Sequence, residues 1–145
     1  MPFEYKESDK IAISKAIEEA EKQTSGEIRV HVDNKCSADP VKEAISHFNR
    51  LEMFNTKDRN GILIYVAKED RKLAIIGDKN INEKVPTDYW ETTKNQLIES
   101  FKKEDYVNGL VQAIFDVGEK LKNYFPYNED DRNELLNDIS QGEGK

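Results

Sequence analysis

Cysteine is almost missing from this chain. Cys36 stands alone, so no disulfide can form within the chain, and a single thiol suits a reducing compartment. A basic excess is missing too. Twenty-two Lys and Arg face 29 Asp and Glu, giving a net charge of −7 and a pI near 5.0. Nucleic acid is therefore excluded as a natural partner, because phosphate binding needs a basic face. Divalent cations and basic protein surfaces are the partners that the charge favours. Apolar runs fall far short of the ~20 residues that cross a bilayer, so no membrane insertion is expected. Met1-Pro2-Phe3-Glu4-Tyr5-Lys6 has neither the basic start nor the apolar stretch of a leader, so the expected location is the cytoplasm. Glycine is sparse and histidine occurs twice. There is no phosphate-cradling glycine loop, no Gly-x-Ser-x-Gly and no zinc-type spacing.

What is present is a set of clean periodicities over 145 residues, enough for one domain with a real core. Ser8 is placed to cap a first helix of about residues 9–23, with Ile13, Ala16, Ile17 and Ala20 on one face. Glu27–Asp33 alternates strictly and reads as a half-buried strand near a sheet edge, with His31 on its exposed face. Asp39-Pro40 is an N-cap followed by proline in the first helical turn. Val41, Ala44, Ile45, Phe48 and Leu51 continue that second helix as a stripe, with His47 on its flank. Ile62-Leu63-Ile64-Tyr65-Val66 is a buried central strand, and Lys72–Gly77 returns antiparallel to it. Asp78–Asp88 reads as a polar loop. Thr87 would cap a helix of about 88–102, and a last helix of about 104–123 ends before Pro126. Trp90, Phe101, Phe115 and Phe125 read as core. Residues 127–145 form an acidic tail whose end is expected to be disordered. The order α-β-α-β-β-α-α makes a small mixed α/β sheet sandwiched between helices, its first two strands parallel through a right-handed crossover.

Chain polarity then locates a candidate site. Parallel first and second strands bring their starts together, and the hairpin adds the end of the third. Glu27, Asp58, Asn60 and Asp78 should therefore share one rim, with Asp88 in the following loop. Clustered carboxylates repel unless a cation lies between them, and carboxylate and amide oxygens are the ligands that Ca²⁺ and Mg²⁺ prefer. Arg59 offers the metal-free alternative of neutralising the same carboxylates. The opposite rim carries Asp33, Asn34, Cys36, Glu69 and Asp70, and open parallel sheets usually bind ligands beyond the strands' carboxyl ends.

Thr24-Ser25-Gly26-Glu27-Ile28-Arg29-Val30, Phe48–Met53, Thr56–Val66, Ala74-Ile75-Ile76-Gly77-Asp78, Trp90 and Phe125-Pro126 through Asn133-Glu134-Leu135 resemble a TPM domain. The resemblance spans about residues 8–140 and implies helices on both sheet faces, divalent-cation binding and acid-phosphatase activity. Glu27, Asp58, Asn60 and Asp78 fall on its motif positions. Members commonly carry a leader and a membrane anchor; neither is expected here, which would make this a stand-alone version, and Leu136 stands where the family tail often has proline. No aspartyl-nucleophile motif or cysteine-arginine phosphate loop is present, so phosphatase chemistry would need a metal ion, with Glu27 or Asp58 as base. The leading expectation is a cation-binding accessory module. A weak metal-dependent phosphatase and an acidic interaction domain without metal are the alternatives.

Overall fold

Three of the helices begin where a carboxylate meets a backbone N–H of the first turn or its cap. A computed structural model describes residues 3–127 and 139–141. Helix α1 spans Glu7–Glu21. Its start is fixed by Asp9, not Ser8: the Asp9 carboxylate accepts the Lys6 backbone N–H at 2.8 Å, the reciprocal half of a capping box. Strand β1 follows at Glu27–Asp33 and helix α2 at Pro40–Arg50, the latter capped by Asp39 through the Lys42 N–H at 3.1 Å, as the sequence predicts. Strands β2 (Gly61–Ala67) and β3 (Lys72–Gly77) form the hairpin. The polar stretch after Gly77 is not a loop. Asp78 accepts the Lys79 N–H and starts a short helix α3, Lys79–Lys84. Helix α4 covers Tyr89–Lys102 and α5 covers Tyr106–Tyr124. Residue 87 makes no cap; Asp88 holds the N-cap position, without a side-chain bond.

The sheet order is β3-β2-β1-β4, where β4 is Ile139–Gln141. β1 pairs parallel with β2, Glu27 opposite Gly61 and Asp33 opposite Ala67, and β2 pairs antiparallel with β3, Ile62 opposite Gly77. The mixed α/β sheet and its strand directions are those that the sequence predicts. Two points differ. β4 pairs parallel along Val30–Val32, so β1 is an interior strand rather than an edge strand. The part of the acidic tail at 128–138 and 142–145, Leu136 included, lies outside the described residues.

The strand period of two sorts the core onto two faces. Ile28, Val30, Val32, Ile62, Ile64, Val66, Leu73 and Ile75 meet α1, α4 and α5 on one face. Leu63, Tyr65, Ala67 and Ala74 meet Cys36 and the α2 residues Ala44 and Phe48 on the other. Cys36 is buried, at 4% exposure, and Phe115 points outward at 43%, so Phe115 does not match its sequence reading as a core ring. Among the described residues no helix is long and apolar enough to cross a membrane.

Gly77 marks where α3 and α4 close over the end of β3. A Cβ there would lie 2.5 Å from the Trp90 ring and 2.9 Å from Ile81 Cγ2. Gly77→Ala is expected to destabilise the domain by about 1–3 kcal/mol by overpacking, read as a drop in the urea midpoint with an unchanged slope. An unchanged midpoint would show that α4 yields freely.

Candidate functional site

The two rims of the sheet carry different chemistry. At the rim where β1 and β2 begin, the ends of α1 and α5 are fastened together first. The Thr24 hydroxyl donates to the Phe125 carbonyl, the Ser25 N–H donates to the same oxygen at 3.0 Å, and Tyr127 N–H reaches Gln23 O at 3.0 Å. Ser25 is thereby fixed beside the turn that precedes β2. Its hydroxyl donates to Asp58 Oδ2 at 3.0 Å and accepts from Asn60 Nδ2 at 3.2 Å. Asn60 is wholly buried, and its Oδ1 has no hydrogen-bond partner among the described residues. Glu27, paired with Gly61, is 2% exposed.

Asp78 is committed differently. Its carboxylate accepts from Arg59 Nε at 2.7 Å and a terminal Arg59 nitrogen at 2.9 Å, as well as from the Lys79 N–H at 2.7 Å. The Asp78 carboxylate in turn raises the pKa of the Arg59 guanidinium. Arg59 sits at φ 51°, a left-handed backbone uncommon for a non-glycine residue. That conformation turns the chain so that Asp58 and Asn60 face Ser25 while the guanidinium faces Asp78. Asn80 braces the same turn, its Nδ2 bonding Asp58 O at 2.9 Å and its N–H bonding Arg59 O at 2.9 Å. Asp88 is exposed ahead of α4. Among the described residues, Glu27, Asp58 and Asp78 do not bring three carboxylate oxygens within 4.8 Å of one another.

Behind this rim lies a further carboxylate. Glu21, 4% exposed at the end of α1, accepts the Ile28 N–H at 2.6 Å through Oε2, and Oε1 has no hydrogen-bond partner among the described residues. Burial, reinforced by the charge of Glu27, pushes its pKa up to about 8 against the opposing pull of that hydrogen bond and of Arg29.

At the opposite rim, where β1 ends, Asp33 collects three side chains. His31 Nε2 lies 3.0 Å from Oδ1, His47 Nε2 lies 3.1 Å from Oδ2, and the Tyr65 hydroxyl donates to Oδ2 at 2.8 Å. The imidazoles stack with centroids 4.0 Å apart. Burial raises the Asp33 pKa, but the Tyr65 bond and the two imidazoles outweigh it and hold the carboxyl below its ordinary value. Burial, then the bond to Asp33, raises the Tyr65 pKa. His31 and His47, read from the sequence as a surface and a helix-flank residue, are 3% and 4% exposed. The reason is that α2 packs over β2 and β3 on the sheet face that carries the polar half of the β1 alternation, and His47 reaches across to His31 and Asp33. The spacing His31-x-Asp33 placed both residues on one strand face and was the available signal; His47 joins only through tertiary packing.

The sequence profile of the TPM domain matches residues 6–120. The chain belongs to the TPM-domain family. Among solved structures it is similar to the BA42 protein of the psychrophilic bacterium Bizionia argentinensis, determined by NMR, with 46% identity over 94% of each chain and a TM-score of 0.87. No match was found among curated proteins. The TPM sandwich of this chain thus presents an oxygen-rich rim at the strand starts and an imidazole–carboxylate cluster at the strand ends.

Proposed function

We propose that this TPM domain is a divalent-cation-binding accessory module whose rim at Glu27, Asp58 and Asn60 takes up Ca²⁺ or Mg²⁺. The observation that carries the reading is the buried Asn60 Oδ1, without a donor among the described residues and one Ser25 hydroxyl away from the Asp58 carboxylate. A buried acceptor left unpaired costs about 1–3 kcal/mol, which a hard cation would recover. The charge around it points the same way. Arg59, which adjoins Asp58 in sequence, is held by Asp78 rather than by Asp58. Asp78 contributes by holding Arg59 in place; backbone carbonyls and water would fill the remaining coordination positions. Binding rather than turnover is the role proposed, and no catalytic residue is assigned.

The test is a Ca²⁺ and Mg²⁺ titration followed by amide shifts. Saturable shifts are expected at residues 25–28 and 58–61. Asp58→Asn and Glu27→Gln are each expected to weaken binding by about tenfold or more, because ligand charge sets affinity in such sites. Absence of saturable change at these amides, or equal affinity in both variants, removes the proposal.

A further inference from the structure

We propose that His31, His47 and Asp33 form a second site, for a divalent transition-metal ion of the zinc, cobalt or nickel type, at the strand ends. One ligating atom from each residue lies within 4.8 Å of the other two. The residues reach this point from two elements. Alternation along β1 sets His31 and Asp33 on one face, and α2 lays His47 over them.

The distances fit an ion with small adjustment. In a tetrahedral centre with metal–ligand bonds near 2.0–2.1 Å, neighbouring ligand atoms stand about 3.3 Å apart. The two imidazole–carboxylate separations are 3.0 and 3.1 Å. Both rings already turn Nε2 toward the same carboxylate, so an ion would take the place of the contacts between them. Two imidazoles and one carboxylate suit zinc, cobalt, nickel or ferrous iron, whereas calcium and magnesium favour oxygen alone. The chemistry therefore separates this site from the acidic rim.

The surroundings have the features that support metal ligands. Tyr65 donates to Asp33 at 2.8 Å and orients the carboxylate, as outer partners of metal ligands do. Ring stacking among His31, His47 and Tyr65 fixes the imidazole planes. Access exists on one side: a depression of about 360 Å³, lined by Asp33, Glu43, His47 and Glu69 among others, opens at the cluster. A water in that depression would complete four-coordination, and Glu43 Oε2, 3.4 Å from His47 Nε2, is the nearest additional carboxylate.

The experiment uses tag-free, chelator-dialysed full-length protein titrated with Co²⁺ and then with Zn²⁺. Visible ligand-field bands should grow to saturation at one ion per chain, bleach with Zn²⁺ and persist in excess Ca²⁺. His47→Gln and Asp33→Asn should each weaken Co²⁺ binding at least tenfold, while Glu18→Gln, an exposed acid on α1, should leave it unchanged. Bands of equal strength in His47→Gln, or none in the wild-type protein, overturn the proposal. If both ligand variants fail to fold, Zn²⁺-induced shifts of the His31 and His47 ring signals in the wild-type protein decide: saturable shifts support the site and their absence removes it.

Discussion

Glu21→Gln is expected to stabilise the protein strongly at alkaline pH and hardly at all near pH 4. The folded carboxyl has its pKa raised from 4.5 to about 8. Below pH 4.5 both folded and unfolded chains hold the proton, and Glu21 adds no pH dependence. Between 4.5 and 8 the folded chain keeps a proton that the unfolded chain has lost, so stability falls as pH rises. Above that window the buried charge imposes a constant penalty, on the order of 5 kcal/mol at 1.36 kcal/mol per pH unit. Glutamine resembles the protonated acid. Its Oε1 can still accept the Ile28 N–H, so the native contact survives. The melting-temperature difference between variant and wild type, measured in chelator, should grow from near zero at pH 4 to about 10 °C at pH 9 for a chain of this size. A difference that stays flat across that range would show that Glu21 is solvated in the native state.

Two adjacent residues of α5 should respond in opposite ways. Ile114 is fully buried in the larger core, whereas its neighbour Phe115 is 43% exposed. Ile114→Ala should cost about 3–4 kcal/mol, since it loses apolar transfer energy and leaves a cavity. Phe115→Ala, although it removes the larger side chain, should cost under about 1 kcal/mol because no cavity forms. Urea unfolding of the two variants checks this directly. Reversed costs would mean that α5 is rotated by about 100°, one residue of helical turn, relative to the core described here.

How far the sequence could be read follows from which signals were local. The β2–β3 hairpin and the crossover through α2 were legible because a five-residue apolar run, a capped proline and a charged turn each act within a few residues. Strand directions then placed Glu27, Asp58, Asn60 and Asp78 on a common rim without any coordinates. The division of labour on that rim was not legible. That Asp78 would spend both oxygens on Arg59 and the Lys79 N–H depends on Arg59 adopting a left-handed turn. Helix α3 escaped notice because Lys79–Lys84 is polar and buries only Ile81. Strand β4 escaped because three residues carry no periodicity and their pairing partner lies about a hundred residues away. The histidine cluster was hidden by a sound rule. Alternation marks one strand face as polar, but it does not say whether another element will cover that face, and here α2 does.

β1 runs unbroken between the two chemistries, with Glu27 at one end and Asp33 at the other. Six residue steps at ~3.3 Å separate them by about 20 Å. That is more than twice the screening length of physiological salt, about 8 Å. Through solvent, positive charge gathered at one end would therefore scarcely raise the electrostatic cost of gathering it at the other. On the proposed reading, β1 would set two unrelated ions at fixed and well-separated positions on one small sheet.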